Sequence, residues 1–166
     1  MKRVLIFLTV VAIAFGGVSS ISEIKTQYSK IRNSLKTMQK IRKNLDDTAP
    51  EGAEAIIYKD KDGIKLIEVN SYFETGKVRE EYYFKDGELF FFFKEITKYN
   101  APPTTEYFDE KKSQITQERV YFVNGKIAKW IENKRVHTFA AKNIEPLFQK
   151  EKEVKSNLKE LLNSLK

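Results

Sequence analysis

The sequence predicts an α+β fold, an antiparallel meander of about six strands with N- and C-terminal amphipathic helices packed on one face. Three observations carry this reading. Glycine turns recur at short intervals through 53–136, and the segments between them are rich in aromatic and β-branched residues. Both flanks, 21–47 and 143–165, carry apolar residues at helical spacing.

Lys2 and Arg3 precede an apolar run from Val4 to Phe15, broken only by Thr9 and followed by the small residues Gly16, Gly17, Val18, Ser19 and Ser20. This order predicts a cleavable export signal over 1–20, cut after Ser20 or, as second choice, after Ser19. The apolar run is shorter than the ~20 residues a membrane-spanning helix prefers, which argues against a retained anchor. No other segment reaches that length, so no transmembrane segment is expected after cleavage. The expectation is an exported protein, in the periplasm or the extracellular medium, with 21–166 forming one domain of ordinary size.

The chain has no cysteine. Disulfides, thiolate metal sites, a cysteine nucleophile and a lipid-modified cysteine anchor are therefore excluded, and an ordinary hydrophobic core must hold the fold. Thirty Lys and Arg face 23 Asp and Glu, with the signs interspersed, for a net charge of +7. That balance makes a mildly basic surface without the dense patch nucleic acid requires, and export argues against that partner too.

Ile21, Ile24, Tyr28, Ile31, Leu35, Met38 and Leu45 recur at spacings of three and four, with Ile41 taking up the stripe where Arg42 breaks it. This predicts a helix over 21–47, ended by Thr48, Ala49, Pro50 and Gly52. The stripe suits a helix packed on its own domain. It is also compatible with a short pairing helix, hence a monomer or a weak dimer.

Strands are predicted near 53–59, 64–72, 77–85, 88–98, 116–123 and 126–133. The turns between them are Asp62-Gly63, Thr75-Gly76, Asp86-Gly87 and Asn124-Gly125, and the Asp-Gly and Asn-Gly pairs suit type I′ hairpins. A longer connection from Tyr99 to Gln114, containing Pro102-Pro103, is the expected mobile loop. Extending the pairing from each turn puts Phe73 opposite Val78, Val69 opposite Tyr82, Phe84 opposite Leu89 and Tyr82 opposite Phe91. One face then carries Ile67, Val69, Phe73, Val78, Tyr82, Phe84, Leu89, Phe91 and Phe93, the expected core.

A repeat underlies these hairpins. Tyr83-Phe84-Lys85-Asp86-Gly87-Glu88-Leu89 matches Tyr121-Phe122-Val123-Asn124-Gly125-Lys126-Ile127, and Tyr72-Phe73-Glu74-Thr75-Gly76-Lys77-Val78 is a third copy. The pattern resembles the aromatic-Gly-Lys hairpin repeats of MORN-2-like proteins, the group that includes YwqK-type proteins, over 58–131 only. The resemblance implies a repeat-built antiparallel sheet and no particular chemistry. The leader and the two flanking helices depart from it.

The last element is a helix over 143–165, with Ile144, Leu147, Phe148, Val154, Leu158, Leu161, Leu162 and Leu165 on one stripe. Asn143 can cap it, and Pro146 falls in the first turn, where proline is tolerated.

Catalytic motifs are absent. His137 is the only histidine and has no carboxylates at ligand spacing, so neither a metal site nor any cofactor is expected. Asp60-Lys61-Asp62-Gly63 reads as a turn and not as a calcium loop. The pairs Glu80-Glu81 and Glu68 with Glu81 could serve as acid and base on a glycan, though strand glutamates more often pair with Arg79 or Lys85.

What remains is the second sheet face. Tyr72, Tyr83, Phe90, Phe92, Tyr121 and Trp130 share it with Arg79 and Arg119, an aromatic and charged mixture suited to binding. Either this face is open or something folds over it, the loop 99–114 being one candidate. Phe90-Phe91-Phe92-Phe93 is apolar on both faces and demands cover on both. The expected function is non-enzymatic binding of a protein, peptide or glycan partner in the bacterial envelope, by this face or by a cleft between sheet and helices. A carrier of a small apolar ligand held between sheet and helices is the alternative, and a glycan-acting enzyme a weaker one.

Overall fold

The computed structural model describes residues 17–45, 48–137 and 144–166. Residues 1–16 of the expected export signal and the proposed cap Asn143 lie outside the described residues. Eight antiparallel strands form one sheet in chain order: β1 (Gln39–Asn44), β2 (Ala53–Asp60), β3 (Gly63–Phe73), β4 (Gly76–Lys85), β5 (Glu88–Lys98), β6 (Gln114–Val123), β7 (Lys126–Glu132) and β8 (Arg135–His137). Helices α1 (Ile21–Ser34) and α2 (Glu145–Ser164) flank it. The meander is as expected, but with eight strands where six are predicted.

Both extra strands have physical reasons. The predicted helix over 21–47 ends at Ser34, and Gln39–Asn44 pairs with β2 instead. Leu35 and Met38 pack on one side of the sheet, while Ile41 and Leu45 pack on the other. The three-and-four spacing therefore spans two packing environments and not one helix stripe. Lys40 and Arg42 point outward from β1, a charged edge that discourages pairing with another chain. At the other end, Asn133 and Lys134 adopt φ of 45° and 71°, the same positive pair as Asp86-Gly87 at 52° and 81°. A hairpin turn without glycine gives no sequence signal.

Two β-bulges correct the face assignment. The register shifts between Tyr83 and Phe84, so Tyr83 faces Phe91, Phe84 faces Leu89 and Phe90 is the extra residue. The same shift falls between Tyr121 and Phe122, with Ala128 extra. The bulge thus sits at the aromatic pair in these two copies of the repeat. Beyond it Tyr82 faces Phe92 and not Phe91. Phe91 and Phe93 consequently leave the predicted core face, and Phe92 joins it. The Thr75-Gly76 hairpin is displaced by two residues, pairing Ile67 with Tyr82, a slip that leaves its faces unchanged.

The helices lie on opposite faces, not together on one. α2 buries Val154 with Ile57, Ile67, Tyr82, Phe84, Phe92, Val120 and Phe122. α1 buries Ile24 and Ile31 with Tyr58, Leu66, Tyr83, Phe90, Phe91 and Phe93. A sheet aromatic on both sides gains from cover on each, at roughly 25 cal/mol per Å² of apolar surface removed from water. α2 has no side-chain cap, Pro146 stands in its first turn, and Ile144 and Phe148 of its predicted stripe remain exposed. The connection after β5 folds on itself: the Asn100 side chain donates to the Tyr107 carbonyl at 2.8 Å and accepts from the Asp109 N–H at 2.9 Å.

Candidate ligand-binding cleft

α1 runs over β5 and β6, and its Ile24 and Ile31 anchor it to the aromatic floor. Residues on the same flank, Lys25, Tyr28 and Arg32, overhang the sheet and leave a cleft of about 480 Å³. That volume lies within the usual range for small-molecule sites. Phe91, Phe93 and Tyr121 form its floor, and Arg79, Glu81 and Arg119 line it from neighbouring positions of β4 and β6. The pleat explains the set. Arg79 and Glu81 alternate along β4 with Tyr83, and Arg119 stands opposite Phe93 across the β5–β6 ladder.

The floor is a cluster of edge-on and tilted aromatic rings. Tyr28 meets Phe91 edge-on at 5.5 Å between ring centroids, and Tyr121 meets Phe91 at 5.0 Å. Arg79 and Arg119 both lie over the Phe93 ring, at 5.3 and 5.4 Å. One ring thus meets two guanidinium groups, one from each neighbouring strand, through cation–π contact.

The charges are joined in a chain. Glu81, 3% exposed, accepts from the Tyr83 hydroxyl at 2.7 Å. Burial and then the Glu81 carboxylate raise the Tyr83 pKa well above its ordinary value, so the phenol stays protonated and donates. Arg79 reaches Glu81 at 3.4 Å and Glu95 at 3.5 Å, and Arg32 reaches Glu81 at 3.6 Å. Gln117 donates to Glu95 at 2.7 Å and accepts from Arg119 at 2.6 Å. The arginine–carboxylate separations exceed those of tight charge-assisted hydrogen bonds, near 2.8 Å. Among the described residues, the buried Nε of Arg79 has no partner. Three guanidinium groups offer some fifteen N–H donors, far more than these acceptors consume.

The eight predicted binding residues divide by face. Arg79, Arg119 and Tyr121 line the cleft. Tyr83 and Phe90 lie on the same side but are fully buried beneath it. Tyr72 borders a smaller pocket with Asn70, Lys77, Arg79, Glu95 and Thr97. Phe92 and Trp130 belong to the opposite side, under α2. There Trp130 stacks on His137 at 3.8 Å, and Lys150 lies over its ring while bridging Glu118 and Glu153. α1, and not the loop 99–114, covers the second face. Sequence reasoning missed Lys25, Tyr28 and Arg32. Their spacing of three and four, beside the buried Ile24 and Ile31, was the available signal.

Glu80 and Glu81 point to opposite faces, Glu80 pairing with Lys94 at 3.1 Å. They cannot flank one glycosidic bond. Among the described residues, no group of three His, Asp or Glu is arranged to hold a metal ion, and no helix is long and apolar enough to cross a membrane. No family model, curated protein or solved structure matches this chain.

Proposed function

We propose that this is an exported, non-enzymatic binding protein whose α1–sheet cleft takes a small anionic ligand with a flat apolar body. The observation that carries the reading is the convergence of Arg32, Arg79 and Arg119 on an aromatic floor, with Glu81 their one deeply buried counter-charge. With Lys25 beside them, four cations face Glu81 and Glu95, so the cleft is net positive before any ligand enters. A carboxylate accepts two parallel N–H bonds from a guanidinium, and an aromatic or planar apolar body packs against Phe91 and Tyr121, whose rings tilt 49° to one another. Fixed cationic donors beside an apolar floor suit the orientation and selection of a ligand. The hairpin repeats supply the rigid sheet on which this site is built, which fits their resemblance to repeat-built sheets.

Titration calorimetry with naphthoate and with its neutral amide tests the reading, because the two probes share size and ring and differ in charge. Naphthoate should bind at least tenfold more tightly, and an Arg119→Met variant should lose that preference while remaining folded. Equal binding of the two probes would favour the carrier of apolar ligands. No binding of either would remove the cleft from consideration.

A further inference from the structure

Residues that the sequence reading assigns to the export leader are built into the folded domain. Val18 is 1% exposed and belongs to the buried cluster beneath α1. Its carbonyl accepts from the Asn124 N–H, in the turn between β6 and β7, at 3.1 Å. Ser19 donates from its N–H and its hydroxyl to Glu23 Oε2, at 2.8 and 2.9 Å. Ser20 is the N-cap of α1, its hydroxyl accepting from the Glu23 N–H at 3.1 Å. Glu23 in turn accepts from Lys85 at 2.7 Å, which ties this corner to the end of β4.

A cut after Ser20 would leave only the Lys85–Glu23 contact of this set. The core would lose Val18, the helix its cap, and Glu23 both bonds from Ser19. The new ammonium group would also fall on Ile21, the first residue of α1, where the helix dipole is already positive. A cut after Ser19 keeps the cap and still discards Val18.

The next site upstream with small residues at the two positions signal peptidase reads is Ala14-Phe15-Gly16. Gly17 shows a matching peculiarity. The end of the Glu88 side chain lies against it, and a Cβ there would push the Glu88 carboxylate aside. We propose that the leader ends at Gly16, that the Gly16–Gly17 bond is the processing site, and that the freed Gly17 ammonium group faces Glu88. In the step itself water adds across the amide, leaving a carboxylate on Gly16 and an ammonium on Gly17. This inference rests on the export reading.

The full chain, made in a secreting bacterium and recovered from the exported fraction, gives the test by N-terminal sequencing and intact mass. The expected first residue is Gly17, and any other new first residue, Ser20 and Ile21 included, overturns the assignment. Retention of Met1 is a separate failure, since it overturns export itself. Two variants sharpen the result. Ser20→Asp places a charge where a cut after Ser20 could not tolerate it, yet Asp caps a helix as well as Ser does. It should be processed to Gly17 like the parent chain, whereas Gly16→Asp should raise the unprocessed fraction at least tenfold. The reverse pattern would refute the proposal.

Discussion

Tyr82 and Tyr83 are neighbours of the same chemistry whose hydroxyls the fold treats differently, so removing each in turn tests the buried charge network. Tyr83 is fully buried and donates to Glu81 at 2.7 Å. Glu81 is itself buried, and its contacts with Arg32 and Arg79 are long. Tyr83→Phe therefore deprives a desolvated carboxylate of its one short hydrogen bond, at a cost of about 2 kcal/mol for a bond to a charged group. Tyr82 is equally buried, but its hydroxyl stands 3.5 Å from Glu80 Oε2, beyond the useful range for O–H···O. Tyr82→Phe should cost under ~0.5 kcal/mol. With a urea dependence of about 2 kcal/mol per M, the Tyr83→Phe midpoint should fall by about 1 M and the Tyr82→Phe midpoint by no more than ~0.25 M. Urea melts followed by far-UV circular dichroism decide it. Equal shifts would show that Glu81 draws its support from the arginines, and the account of the cleft's electrostatics would fail.

Truncation to alanine separates the faces. Phe92→Ala, on the α2 side at 2% exposure, should cost about 3–5 kcal/mol, while Phe148→Ala at 58% exposure should stay within about 0.5 kcal/mol in the same melts. Lys134 adopts φ of 71°, so Lys134→Gly should stabilise by about 0.5 kcal/mol and raise the melting temperature by a degree or two. The hydrogen bond from Lys85, with those from Ser19, lowers the Glu23 pKa from 4.5 to about 2. A depressed carboxyl pKa stabilises the fold above the unfolded value and loses that contribution as pH falls through the folded one. The melting-temperature gap between the parent chain and Glu23→Gln should therefore be present at neutral pH and close between pH 4.5 and 2, as thermal scans across that window would show.

Much of the sheet was legible because hairpin turns are chemical signals. Asp86-Gly87 and Asn124-Gly125 adopt the positive φ pairs their composition predicts, and the strand order follows the chain. Three features were not legible. A register read outward from a turn assumes strict alternation, and the bulge at Tyr83-Phe84 breaks it, exchanging the faces of Phe91, Phe92 and Phe93. β1 is composed of Gln, Lys, Ile, Arg and Asn, residues without strand preference apart from Ile41, and it forms because β2 offers an edge. Cover was the third. The four consecutive phenylalanines demanded it on both faces, yet nothing local assigns α1 to one side and α2 to the other. The cleft was accordingly half visible: Arg79, Arg119 and Tyr121 came from strand alternation, while Lys25, Tyr28 and Arg32 depend on where α1 docks.

Of the arginines after Arg3, Arg32, Arg79 and Arg119 share one cleft, whereas Arg42 and Arg135 lie on edge strands away from it. Arginine side-chain NMR during titration with naphthoate reads each Nε–H separately, with Arg42 and Arg135 as internal controls. The account predicts saturable shifts confined to Arg32, Arg79 and Arg119, with Arg79 Nε among the largest because it begins without a partner among the described residues. Uniform small shifts across all five, or a response led by Arg42 and Arg135, would contradict an anion site in the cleft.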